Sequence, residues 1–552
     1  MDVGGYLRVL ALAEARTSAR QWPAAAALWQ QVVTVNPVNG SHRDRLAQAY
    51  FEAGDYSAAL AAYQKAGDLG IWDRGQERET IFAGEVQYRV ARCHVRLGDA
   101  DRAIGELERA FRAGLRDLDR VRADPCWLPV RDHDRFRALF DVDVSGLSRD
   151  EGWRRDLRLF GREVKRRAYD PFRHCSEDDF DAQLARLDQQ VPELTEAQIL
   201  AGLLKLLRPL GDGHAGVTGT GDYPALRQIL PLEFYLFAEG LFVTSVDPRY
   251  RQLLGAKVLS FDGRPADEIS AAIDPIISRD NDYQAMAAVP RWLRCPPMLH
   301  ALDLIAAPDA VTLSVRLPDG ATAEVALETD ASVPWTIRTP LPGWLWLPET
   351  LATQVPRYLR NRDLDYWFEH LTAERTVYVQ INSVADHPAE TLPAFTDRLF
   401  AYLSDHDADT LVIDLRWNGG GNTFLTQSLL HNLIACRRVN RPGSLFVIIG
   451  RHTFSAAQNT ATAIERHTHA IFVGEPTGSS PNFVGEVAAF ELPYSKFMVN
   501  VSDLYWQTSW PMDLRPWIAP EIYTPPTFED YQAGRDPAME AIAAYREHPP
   551  GR

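Results

Sequence analysis

Two stretches of this chain place chemically capable residues where an apolar run gives out. In the first, Asp414-Leu415-Arg416-Trp417-Asn418-Gly419-Gly420-Gly421-Asn422, three consecutive glycines follow a strand-like segment. Such a run costs backbone entropy, so the site needs bare N–H groups that another chain can approach closely. A phosphate cradle would need the Gly-x4-Gly-Lys-Ser/Thr spacing, which is absent, and no lysine is near. Backbone N–H groups aimed at a developing oxyanion fit better. In the second stretch, Gly450-Arg451-His452-Thr453-Phe454-Ser455-Ala456-Ala457-Gln458, a strand pattern yields to a helical one at Ser455. A serine there either caps the helix through its hydroxyl or stands exposed as a nucleophile beside the positive end of the helix dipole. In the nucleophilic case the Ala456 N–H joins one from Gly419 or Gly420 in holding the oxyanion.

A nucleophilic serine needs a base, and imidazole, neutral near pH 7, can accept its proton. His214 lies in Gly211-Asp212-Gly213-His214-Ala215-Gly216-Val217, where flanking glycines leave the backbone uncrowded. Taken alone, a histidine in such a turn is most often just a surface residue. His452, three residues before Ser455, is the rival base. His467 and His469 form an H-x-H pair with no evident third ligand, so neither a metal nor a cofactor is expected.

These residues need elements to position them. After about Glu374, strand patterns (Thr376–Ile381, Thr410–Leu415, Leu445–Ile449, Ala470–Val473) alternate with helical ones (Ala389–Leu403, Thr423–Ala435, Ser455–Glu465), which predicts a layered α/β domain. From Arg154 to about Arg208, apolar residues recur at helical spacing and halt at Pro209. Residues 229–330 alternate as strands do, and their segment GAKVLSFDGRPADEI resembles a PDZ domain, which captures extended peptides as an added strand. In the first quarter, Gln21–Trp29 aligns with Asp55–Tyr63 at a 34-residue offset (63 − 29), and Gly98–Leu107 supplies a third copy. This resembles the tetratricopeptide repeat, which implies either a platform for a protein partner or a helical prop. Residues 119–150 read as a closing turn and linker.

Composition narrows the function classes. A chain of 552 residues needs several cores. Its formal charge of −16 argues against a nucleic-acid partner, which would require a concentrated basic face. No apolar stretch reaches the ~18 residues of a membrane span. The five cysteines are scattered without metal-ligand spacing, which predicts reduced, buried thiols and a cytoplasmic protein.

Taken in order, GDGH, DLRWNGGGN, HTFSAAQ and VGEPTG resemble the C-terminal processing (tail-specific) serine peptidases, more closely the branch that includes tricorn protease. The resemblance spans roughly 150–535. It implies peptide or protein substrates, Ser455 as nucleophile and a core of the ClpP/crotonase type. Another branch of that family uses a lysine about two dozen residues after the serine, but no lysine lies between Ser455 and Lys496. The tricorn-like branch uses a histidine that His214 matches, and an acidic residue that Asp513 matches, with Glu521 and Glu475 as alternatives. The expected architecture is multidomain α + α/β: repeats over 1–118, a linker over 119–150, a helical segment carrying the base over 151–225, a PDZ-like module over 226–345, and the ClpP/crotonase-like core over 346–552. A catalytically silent scaffold and a hydrolase of non-peptide esters or amides are the competing functions, and the oligomeric state is left open.

Overall fold

The computed structural model describes every residue except 1, 72–82, 114, 116–117, 141–143, 220–222, 352–354 and 549–552. The chain forms two compact units, Met1–Gly146 with Lys165–Arg167, and Leu147–Val164 with Ala168–Arg552.

The first unit is helical. Its helices run Val3–Ser18, Trp22–Val35, Gly40–Ala53, Tyr56–Leu69, Ala83–Arg96 and Ala100–Arg112, and each packs on its chain neighbour. The three segments aligned in the sequence all begin the second helix of a pair. Asp55 and Asp99 cap two of these helices by accepting the N–H groups of Ala58 and Arg102. Where a closing turn and linker are expected, the chain forms short helices Leu118–Ala123, Pro125–Val130 and Asp134–Phe140. Trp127 is fully buried and stacks on Phe136 at 5.3 Å, so this stretch completes the first unit's core. A large aromatic side chain here finds its apolar partners within the unit, which is why the segment folds back.

The second unit contains a six-stranded sheet in the order Ile522–Tyr523, Ile471–Gly474, Leu445–Ile449, Thr410–Asp414, Thr376–Ile381, Tyr366–Leu371. All neighbours are parallel except the last pair, which is antiparallel. The inner strands Thr376–Ile381, Thr410–Asp414 and Leu445–Ile449 are buried along their whole length because both faces are covered. Val377, Val379, Leu411, Ile413, Leu445 and Val447 meet helices Leu392–Asp405, Gln427–Ala435 and Ala456–His467 on one face. Tyr378, Val412, Phe446 and Ile448 meet helix Pro537–Glu547 on the other. Each such fully buried aliphatic side chain contributes about 1.5–3 kcal/mol, so the sheet is a rigid base for the loops at its ends.

A second, antiparallel sheet is built on Leu232–Phe237, Gly240–Val246, Lys257–Phe261, Ala310–Arg316 and Thr322–Glu328. Helices Arg149–Arg167, Glu177–Gln190 and Glu196–Leu207 do not stand apart from it. Trp153, Leu203, Leu207, Val243, Phe261, Leu313, Phe490 and Val499 belong to one continuous apolar cluster. The helical segment, the β-rich middle and strands near the C-terminus therefore share a core.

Candidate active site

The serine comes from the exit of strand Leu445–Ile449. Ser455 has φ 55° and ψ −123°, a backbone conformation that costs a non-glycine residue of order 1–3 kcal/mol. That twist turns the hydroxyl away from the first helical turn, and it makes no capping hydrogen bond. Instead Oγ lies 2.9 Å from His214 Nε2.

His214 reaches that position from the turn after helix Glu196–Leu207. Its N–H donates to Asp212 Oδ1 at 2.8 Å, and Asp212 also accepts the N–H and hydroxyl of Ser502 at 2.7 and 2.9 Å. The ring is held between Phe454 and Phe483, with centroids 4.5 and 6.0 Å away. Nδ1 makes no hydrogen bond; the Asp212 carboxylate is 3.7 Å from it. Burial pulls His214 down, but the Asp212 and Asp280 carboxylates outweigh it and leave its pKa above the ordinary 6.5.

The glycine run packs directly against this elbow. Phe454 N–H donates to Asn418 C=O at 3.1 Å, and Thr453 Oγ1 donates to Leu415 C=O at 2.9 Å. Gly420, at φ 108°, approaches so closely that an added Cβ would lie 2.7 Å from the Ser455 Cβ. No other residue fits there. The three expected oxyanion donors are not equivalent. Gly420 N–H is already donated to Asn418 Oδ1 at 2.9 Å, whereas the N–H groups of Gly419 and Ala456 have no hydrogen-bond acceptor among the described residues. Gly420 is thus a spacer by geometry; the two free donors belong to the residue before it and to the residue after the serine.

The structure does not bring Asp513 to the histidine. Its carboxylate is taken by Arg515, at 2.9 and 2.8 Å, and by Ser509 Oγ at 2.6 Å, and Arg515 holds it well below the usual carboxylate range. The reason is local: an arginine two residues on captures the acid before any distant partner can. The alternatives are committed as well. Glu475 forks onto Arg451, and Glu521 accepts the Phe472 N–H at 2.6 Å. His452 stacks on Trp417 at 4.8 Å and makes no bond to Ser455; burial, with Arg451, Arg291 and Arg362 nearby, drives its pKa well below 6.5. His467 and His469 are exposed, and no group of three or more His, Cys, Asp or Glu is gathered as for a metal among the described residues.

Two carboxylates at the site escaped sequence reasoning. Asp212 stands inside the GDGH motif, yet spacing alone assigned it no task. Asp280 comes from the β-rich middle, where no pattern distinguishes it from other turn acids; it accepts the Gly213 N–H at 2.7 Å and the Ser479 hydroxyl.

No family model and no curated protein matches the chain. Among solved structures, mature CPAF is similar over 72% of this chain and 97% of its own, with 14% identity and a TM-score of 0.51. Mature CPAF complexed with lactacystin is similar over 72% and 98%, with 13% identity and a TM-score of 0.50. The photosystem II D1 C-terminal processing protease aligns over 73% and 98%, at 15% identity and a TM-score of 0.35. The fold is thus similar to that of mature CPAF. This corrects the expectation of a ClpP/crotonase-like α/β catalytic core: the likeness extends over nearly three quarters of the chain. The physical reason is the shared apolar cluster, which makes the helical segment and β-rich middle part of one body with the strands near the C-terminus. No helix is long and apolar enough to cross a membrane among the described residues.

Proposed function

We propose that this protein is a serine peptidase that hydrolyses peptide bonds through an acyl-enzyme on Ser455, with His214 as general base. The observation that carries the reading is the 2.9 Å contact between Ser455 Oγ and His214 Nε2, at a strained elbow beside two uncommitted backbone donors. The tail-specific-peptidase fold supports a peptide or protein substrate. Ser455 Oγ bonds to the scissile carbonyl carbon as its proton passes to His214 Nε2. The carbonyl oxygen, now anionic, is received by the N–H groups of Gly419 and Ala456. His214 returns the proton to the leaving amine nitrogen as the C–N bond breaks. Water then repeats the sequence on the acyl ester, releasing the acid and restoring the serine.

Within the same proposal, the helical pairs of residues 1–118 serve as a platform for a protein partner, and residues 226–345 act as a PDZ-like grip on the substrate. Five unpaired cysteines support a cytoplasmic setting. A fluorophosphonate probe is expected to label the wild-type chain at Ser455 and to leave Ser455→Ala unlabelled. Labelling is expected to be blocked by lactacystin, the compound found complexed with mature CPAF. Absence of labelling, together with equal peptide turnover by both chains, would end the peptidase reading.

A further inference from the structure

No carboxylate hydrogen-bonds the Nδ1 side of the base, where one ordinarily holds a catalytic imidazole; Asp212 stands 3.7 Å from it. The orientation of the base must come from elsewhere, and the structure offers a second grip, on the backbone. Asp280 Oδ1 accepts the Gly213 N–H at 2.7 Å, and Gln284 Nε2 donates to the Gly213 C=O at 2.9 Å. Asp280 and Gln284 are themselves joined, because the Asp280 N–H donates to Gln284 Oε1 at 2.7 Å. The grip is close: an added Cβ at 213 would lie 2.4 Å from Gln284 Oε1 and 2.7 Å from Asp280 Oδ1, so a side chain there would have to displace both.

The same carboxylate also reaches the serine side. Its Oδ2 accepts the Ser479 hydroxyl, and the N–H of neighbouring Gly478 donates to Thr453 C=O at 3.0 Å, two residues before the nucleophile. Asn281 adds bonds to Thr477 C=O at 3.0 Å and Pro516 C=O at 2.7 Å. Asp280 therefore joins the turn of the base to the loop beside the elbow. Among the described residues no lysine or arginine forms an ion pair with it, and the adjacent Arg279 is turned to Asp274 and Asp282.

We propose that Asp280 is the positioning residue for His214, fixing the base through the Gly213 peptide and balancing the charge of the imidazolium formed in each half-reaction. This rests on the Ser455–His214 reading. The carboxylates facing His214 are Asp212 from its own turn and Asp280 from the loop before helix Asp282–Trp292. The serine helix contributes the Ser455 hydroxyl, and strand Asn482–Val487 contributes the uncharged Phe483. His174 lies against Gly211, and burial with Arg173 and Arg208 nearby lowers its pKa. Burial pushes Asp280 up to about 6, countered by His214.

The test uses the full chain with 13C-labelled histidine, the His214 resonance being assigned by its loss in His214→Gln. Asp280→Asn keeps an acceptor for Gly213 but removes the charge. It is expected to lower the His214 pKa by about half a unit or more, and to slow fluorophosphonate labelling at neutral pH about ten-fold. On any peptide substrate kcat should fall while KM stays within about two-fold. An unchanged His214 titration, or an unchanged labelling rate, overturns the role. Should Asp280→Asn fail to fold, Ser479→Ala weakens the same carboxylate and is expected to shift the titration in the same direction; no shift overturns the proposal. The titration needs no turnover, so a chain that labels and titrates normally but cleaves nothing would fail the peptidase reading alone.

Discussion

Two clusters of acidic side chains lie near the ends of strands in the second unit, and they are handled in opposite ways. At the exit of Thr410–Asp414, Arg416 forks onto Asp414 at 3.0 and 2.9 Å and onto Asp536 at 3.0 and 3.0 Å, while Tyr378 donates to Asp414 at 2.6 Å. Both acids find a cation and the guanidinium is fully engaged. Around His214, by contrast, Asp212 and Asp280 accept backbone and hydroxyl donors but face no arginine or lysine among their ion pairs. The first arrangement spends its charges on holding the last helix to the sheet. The second leaves them available to a group whose charge changes during a reaction. Compensation marks structure here, and its absence marks the site.

That contrast can be broken from either side. Replacing the fully committed cation should have the largest effect on folding: Arg416→Met leaves the Asp414 and Asp536 carboxylates without a cation, and is expected to cost about 3–5 kcal/mol in denaturant unfolding. A loss below about 1 kcal/mol would show that the cluster is not the structural device described. Gly420→Ala places a methyl group against the serine without touching any charge. Fluorophosphonate labelling should slow by roughly ten- to a hundred-fold, and urea unfolding should lose about 1–3 kcal/mol, because alanine at this left-handed φ strains the backbone and parts the oxyanion loop from the elbow. The smallest effect belongs to Asp513→Asn. Its ion pair with Arg515 is partly exposed, so labelling should change by less than about two-fold. A drop as deep as that of His214→Gln would restore Asp513 as the orienting acid.

Much of the frame could be read from local pattern, because local physics decides it. The alternation that sorts Val377 and Val379 from Tyr378 is set within one strand, and so is the strand-to-helix junction at Ser455. Trp127 was harder: in an apparent linker, an aromatic says that something will cover it but not what. The site itself depends on residues 241 positions apart, so no spacing rule could join Ser455 to His214. Family-like spacing selected Asp513, yet Arg515, only two residues away, decides its fate. Asp280 left no trace in the sequence because it grips a peptide N–H, which every residue but proline offers.

The free donors of Gly419 and Ala456 belong to different loops, laced together by Phe454 N–H to Asn418 C=O and by Thr453 Oγ1 to Leu415 C=O. On the proposed mechanism the receptacle for negative charge is a seam between two strand ends, and its width is the distance those stitches permit. Slackening them would part the donors while both strands stayed paired, so reactivity and global order are separable quantities in this molecule.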